Sequence, residues 1–376
     1  MHSKPMNQKG QVKFITTDKN EFWNELKKRV EAYFTENKIS RNYDASMVIK
    51  SIILLSAYIL PFVAILVFQP PFWVSLILWS ICGVAMAGIG MSVMHDGNHG
   101  SYTGSKRMNM FIGSTLNLLG GCSHNWRLQH NIMHHTYTNI SGLDDDIDDK
   151  IGMRFSPHTK VRRFQKFQFI YAFLLYGIIT LYWVTLKDFL QFARYTKSGV
   201  NPNTPKQNFW LMVRIVISKA CYFFVALFVP IYFVGIPAWQ VITGWVTLQV
   251  LGGVILSVVF QMAHTVEHTT HPMPDENGSI ENSWAIHQMN TTVNFARDNK
   301  LISWYVGGLN YQVEHHLFPK VCHIHYPAIA PIVKKTAEEY GVPYLENETF
   351  GQAFRSHVIT LKRFGSMPKL DEVLAG

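Results

Sequence analysis

Charge is scarce in this chain of 376 residues: Asp, Glu, Lys and Arg make up 16% of it, against about 25% in soluble domains. So little charge cannot clothe the two or three soluble domains that the length would allow. Cysteine is scarcer still. Cys82, Cys122, Cys221 and Cys322 stand far apart without a CxxC pair, which excludes a disulfide framework and a thiolate metal site. There is no internal repeat and no low-complexity stretch. No basic stripe accompanies a nucleic-acid reading module, so the net charge of +9 does not point to DNA or RNA. The first fifty residues contain neither an apolar core nor a cleavage site, so no signal peptide is expected.

Apolar length is what the chain has instead. Hydrophobic residues reach 48% and aromatics 14%, the balance of a polytopic membrane protein with wide interfaces. The excess positive charge is assigned to anionic headgroups on the cytoplasmic side. Five apolar stretches are long enough to cross a bilayer. Four are expected to span, at about 49–68, 72–94, 211–234 and 238–260. Uncharged turns, Gln69-Pro70-Pro71 and Gly235-Ile236-Pro237, join them in pairs. The fifth, about 167–186, is rich in Phe and Tyr and flanked by Arg162, Arg163 and Lys187. It reads as an interfacial helix. Parity requires this if histidines on either side of it share one site, and the positive-inside rule agrees: both outer turns then lack Lys and Arg. Arg214 and Lys219 are the exceptions. The expected fold is an all-α integral membrane protein with four transmembrane helices and a cytosolic helical cap. It divides into an N-terminal arm over 1–46, a membrane domain over 47–332 and a C-terminal tail over 333–376.

Three histidine clusters sit at the edges of these stretches: HDGNH with His95 and His99, HNIMHH with His130, His134 and His135, and QVEHH with His315 and His316. Histidines spaced i,i+4 share one helix face and can reach one ion. Seven clustered imidazoles exceed the needs of one metal, so the set reads as a two-metal site. Isolated histidines such as His2, His124, His158 and His357 are ordinary surface or core residues. His264 ends the last apolar stretch and is aimed at the same site; His268 follows at i,i+4 as a further ligand or a supporting group. His287 is a weaker candidate, and His323 and His325 line the loop after the third cluster. Gln312 stands where the pattern would otherwise place a histidine, and its amide is a weak ligand. Asp96 follows His95 and can orient its imidazole. In the acidic run Asp144, Asp145, Asp146, Asp148 and Asp149, one or two carboxylates, Asp145 among them, are candidates to fix ligating histidines. Imidazole suits iron, zinc, copper or nickel, so ligand type alone does not name the metal. Compact zinc sites use four ligands, often with Cys, and fit this set poorly.

The strings MHDGNHGSYT, WRLQHNIMHHTYTNISGLDDDID and GGLNYQVEHHLFP, set around paired spans, resemble the histidine boxes of the membrane fatty acid desaturases. The resemblance covers about Ile49 to Ile332. Gln312 at the head of the third box is similar to the front-end subgroup, which places a double bond between an existing one and the carboxyl end. The resemblance implies two non-haem iron ions at the cytosolic face, O2 as co-substrate, and an acyl chain in a narrow bent tunnel. It implies His95, His99, His130, His134, His135, His315 and His316 as ligands, with Gln312 and, after the final span, His264. The substrate implied is a fatty acyl-CoA or a phospholipid bearing a C18 polyunsaturated chain. Many front-end relatives carry a fused cytochrome b5 domain with an HPGG motif. This sequence has no HPGG, so an external donor is expected, a cytochrome b5 or a ferredoxin-type carrier. Two alternatives stay open: a di-iron hydroxylase or ketolase, separated by product analysis, and a non-catalytic metal-binding or transport protein. Transport needs polar residues within the spans, and those before the first box have essentially none.

Overall fold

The computed structural model describes residues 12–16, 20–147 and 152–370. Asp148 and Asp149 lie outside the described residues, as does His2. Among the described residues, five helices are long and apolar enough to cross a membrane: Ala45–Phe68, Phe72–His99, Arg163–Lys197, Pro205–Phe233 and Ala238–His264. All three apolar stretches that lead into or follow the boxes run on past their predicted ends. A helix rises about 1.5 Å per residue, so about 20 residues cross the hydrocarbon. The second helix has 28 residues and the fifth 27, more than a crossing needs, and the surplus turns at their ends carry His95, His99 and His264.

Local chemistry sets the ends. The Asp44 side chain accepts from the backbone N–H of Met47 and caps the first helix. Thr204 and Gln207 form a capping box ahead of the fourth. Gly235 turns the chain between the last two with φ of 81°. Phe68, Trp73, Tyr232 and Phe233 are all exposed near the two short turns, an aromatic girdle where an interface would lie.

The second and fifth helices run parallel. At one end the rings of Phe72 and Trp239 are 4.8 Å apart; at the other, both helices deliver histidines to one cluster. They pack closely because Gly83 has no side chain: a Cβ there would sit 2.7 Å from the Leu248 carbonyl oxygen. The third long helix dips and returns. Near its start the Gln168 amide donates to the Leu361 carbonyl. At mid-length Thr180 donates to the Gln249 carbonyl, deep along the fifth helix. After a π-helical turn at Trp183–Lys187, Gln191 meets Gln129 and Arg194 pairs with Asp145, so it is back beside the histidine cluster.

The remaining elements cover that end. The helix Glu21–Glu36 buries Phe22, Leu26, Val30 and Phe34 against Tyr326–Glu339, and Arg29 bridges Glu25 and Glu339. The helix Phe350–Ser366 is locked by His357, whose Nδ1–H donates to the Thr265 carbonyl while Nε2 accepts from Tyr176. Two parallel two-residue strand pairs, Lys13–Phe14 with Ser279–Ile280 and Asn294–Phe295 with Glu346–Asn347, tie both ends of the chain to the middle.

Candidate metal centre

Each histidine is placed by the end of a helix or by a widened turn. The segment Ile89–Val93 is π-helical just before His95, and Leu128–His134 is π-helical through the second cluster; such turns recur at functional sites. The wider turn changes which residues share a face. His130 and His135, five apart, come nitrogen to nitrogen at 3.3 Å, while the rings of His130 and His134 stack at 5.1 Å. His315 and His316 sit on the short helix Gln312–Leu317. Glu314 of that helix is buried and anchors it: Asn294 Nδ2–H and the Tyr344 hydroxyl donate to its carboxylate, each at 2.8 Å. Burial pushes the Glu314 carboxyl up to about 7.

The clusters gather into two adjoining groups. His95, His99, His130 and His315 bring one ring nitrogen each within 4.8 Å of one another, and so do His134, His264 and His316; His135 joins His315 and His316. All eight side chains are buried or nearly so. His95 Nε2 faces His130 Nε2 at 3.2 Å, and His99 Nε2, His134 Nε2 and His315 Nε2 have no hydrogen-bond partner. Buried nitrogens are rarely left without partners. The outward nitrogens of five of the rings, by contrast, are held, while His95 Nδ1 and His135 Nδ1 are not. His134 Nδ1 is 2.9 Å from Asp144 and His130 Nδ1 is 3.3 Å from Asp146. His316 Nδ1–H donates to Gln288 Oε1 at 2.7 Å, His315 Nδ1 meets the Tyr326 hydroxyl at 3.1 Å, and His264 Nδ1 lies 3.3 Å from the Thr291 carbonyl. Held outer nitrogens and empty-handed inner ones are the pattern of imidazoles oriented for metal.

Electrostatics agree. Burial, together with neighbouring imidazoles, holds His135, His315 and His316 far below the usual histidine range. Burial takes His130 down to about 3 against the pull of Asp146. These rings are neutral, the form that binds a cation. His134 differs: burial would lower it, but the Asp144 carboxylate outweighs burial and raises it.

Gln312 lies in the cluster. Its Nε2 is 2.8 Å from His264 Nε2 and 3.3 Å from His316 Nε2, and its buried Oε1 has no partner. Turning the amide over would present that oxygen to the same spot. His268 is elsewhere. The fifth helix ends at His264, so the i,i+4 relation lapses, and His268 is exposed with φ of 73°. Asp145 does not face a histidine; it accepts from Arg194 and Tyr195, while its neighbours Asp144 and Asp146 take the imidazoles. Asp96 Oδ1 is 3.9 Å from His95 Nδ1, too long for a hydrogen bond. Its other oxygen accepts from His323 Nδ1–H at 2.8 Å and from Cys322 at 3.1 Å, so it ties the first box to the segment after the third. His287 is buried against Phe14 and belongs to none of the groups; His325 bonds the Asn42 carbonyl. Gln288, Thr291 and Tyr326 carried no signal in the sequence, because each supports a ligand eleven or more residues away along the chain.

An apolar cavity of about 200 Å³ opens beside the cluster. Met86, Met91, Leu175, Ile179 and Leu256 line it, and His95, His130 and Gln312 border it.

Comparison with known proteins agrees with this geometry. The family model for fatty acid desaturase matches residues 35–347. An sn-1 linoleoyl-lipid 6-desaturase of Arthrospira platensis is 36% identical over 349 residues, 93% of this chain and 94% of the relative. An acyl-lipid (8-3)-desaturase of Physcomitrium patens is 35% identical over 95% of this chain and 74% of the relative. One of Mortierella alpina is 34% identical over 93% and 78%. With its buried histidine cluster beneath five apolar helices, the chain is an integral membrane oxidoreductase that belongs to the fatty acid desaturase family.

Proposed function

We propose that this protein is a front-end acyl-lipid desaturase. It introduces a cis double bond between an existing double bond and the carboxyl end of a C18 polyunsaturated chain carried on a membrane lipid or on CoA. The observation that carries the reading is the apolar cavity bordered by His95, His130 and Gln312, because it brings methylenes, and little water, to the metal-binding nitrogens. The relatives named for linoleoyl-lipid and (8-3) desaturation support the front-end assignment. One iron would be held by His95, His99, His130 and His315, and a second by His134, His264 and His316, with His135 and Gln312 completing the set. Two irons there supply O2 activation strong enough to remove hydrogen from an unactivated methylene. The residues do the rest: Asp144, Asp146 and Gln288 keep the imidazoles oriented, and the methionine-rich wall excludes water and adapts to a flexible chain.

The parallel course of the second and fifth helices supports four crossings. The chain must return once between them, and the Pro205–Phe233 helix does so. The third helix, with both ends beside the cluster, then dips from that side along the fifth helix without crossing. The cluster faces the cytosol by the charge of its loops, with 1–46 and 333–376 as cytosolic segments around the membrane domain. Expression in a host fed linoleate, with double bonds located in the fatty acid methyl esters, tests the reading. A new cis bond on the carboxyl side of the existing ones is expected. A hydroxylated product would favour the hydroxylase alternative, and unchanged lipids with iron bound would refute desaturation.

A further inference from the structure

Desaturation removes two hydrogens from the acyl chain and reduces O2 to two waters. Two electrons and two protons must therefore come from outside, and the metal cluster is buried. One route from the surface stands out. The indole N–H of Trp284 donates to the main-chain carbonyl of His135 at 3.0 Å. Trp284 is itself only partly buried. It packs edge-on against Trp23 at 5.5 Å, and Trp23 packs on Phe318 at 5.3 Å; both are partly exposed as well. Three aromatic rings thus form a partly solvent-facing patch that is one hydrogen bond from a metal-binding residue. Gln288 also donates to the His135 carbonyl, at 3.1 Å, but it is fully buried and reaches no surface.

Charge around the patch selects a partner. Lys27 lies one helical turn after Trp23, on the same side of its helix, and Lys320 two residues after Phe318. Lys13 sits on the strand that pairs with Ser279, close to Glu281 and Trp284 in the chain. All three lysines are exposed. Glu21 and Glu281 are the exposed acids on the same segments, so the three lysines outnumber them. We infer that the Trp23–Trp284–Phe318 patch is the docking surface for a small acidic one-electron carrier protein, with Trp284 the entry point for electrons to the His135 side of the cluster. The carrier is oxidised by one electron at each of two encounters, and the metal site is reduced. A small patch ringed by charge suits such brief contacts, which bury little area and rely on electrostatic steering. This rests on the desaturase reading, since it is that reaction which consumes electrons.

The test uses full-length, iron-loaded protein in detergent or nanodiscs. Reduction and turnover are driven in parallel by dithionite, a small chemical reductant, and by two acidic probes, a soluble cytochrome b5 haem domain and a [2Fe–2S] ferredoxin. In Lys27→Glu/Lys320→Glu, reduction by whichever carrier drives the wild type should fall by about tenfold at low salt, and its salt dependence should flatten. Dithionite-driven turnover should match wild type. In Trp284→Phe, which keeps a ring but loses the N–H donor, carrier-driven reduction should fall by more than dithionite-driven turnover does. Unchanged carrier kinetics in the lysine variant would overturn the docking surface. An equal fall with carrier and dithionite in Trp284→Phe would reduce Trp284 to a support for His135 and overturn its role as entry point. Wild type that turns over with dithionite but with neither carrier would also overturn the inference. Wild type that desaturates with no reductant at all would instead refute the underlying function.

Discussion

His134 presents Nδ1 to the Asp144 carboxylate at 2.9 Å, with both side chains fully buried. That contact fixes which nitrogen of His134 is free to face the cluster. Asp144→Asn keeps the shape and removes the charge. Iron occupancy or turnover should fall by about 10–100-fold, the usual cost of losing such a support. Asp145→Asn, one residue on, should weaken the contacts with Arg194 and Tyr195 yet retain iron. His135→Ala and His316→Ala should lower iron content and abolish turnover. Metal analysis beside product assay decides; normal iron in Asp144→Asn would remove its assigned role.

Gln312 tests whether an amide is needed among imidazoles. Gln312→Ala leaves His264 and His316 without the neighbour at 2.8 and 3.3 Å, and Gln312→His crowds them with a ring. Both should lose about 2–3 orders of magnitude in rate, equivalent to about 3–4 kcal/mol of barrier, with the protein still folded. Wild-type rates in Gln312→Ala would show an ordinary polar residue.

Topology follows from the parallel second and fifth helices. Epitope tags inserted near Pro70 and near Gly235 should both be reached from outside intact cells or spheroplasts. A tag in the turn at Gly199, where φ is 74° and no side chain crowds the position, should be reached only after permeabilisation. External labelling at Gly199 would make the third helix a full crossing.

Gly253 holds the third helix to the fifth. A Cβ there would lie 2.5 Å from the Tyr176 carbonyl oxygen and 3.1 Å from that of Gly177, and backbone cannot step aside as a side chain can. Gly253→Ala should destabilise by about 1–3 kcal/mol and narrow or distort the cavity that Tyr176 and Leu256 share. Thermal melting of the detergent-solubilised protein, read beside product yield, measures it. An unchanged melting temperature would mean that the helices separate freely.

Much of the centre was legible in sequence because its ligands come in local pairs. The spacing of His95 with His99 places nitrogens together through helix geometry alone, and the adjacency of His315 and His316 turns one ring toward each group. The long apolar stretches likewise announce a membrane fold, since few alternatives bury so many residues without water. His264 was readable as the last turn of a helix too long for the bilayer. Helix periodicity reached less far where the helix itself changed: His130 and His134 stay together, but the π turn at Leu128–His134 also brings His135 onto His130, and the end of the fifth helix at His264 leaves His268 outside. Only the tertiary structure could choose Asp144 and Asp146 over Asp145, because adjacent residues in a turn point in different directions and composition does not record which. Gln288, Tyr326 and Trp284 reach His316, His315 and His135 across the fold. Apart from Tyr326, eleven residues after His315, no sequence neighbourhood joins them to what they support; packing alone does.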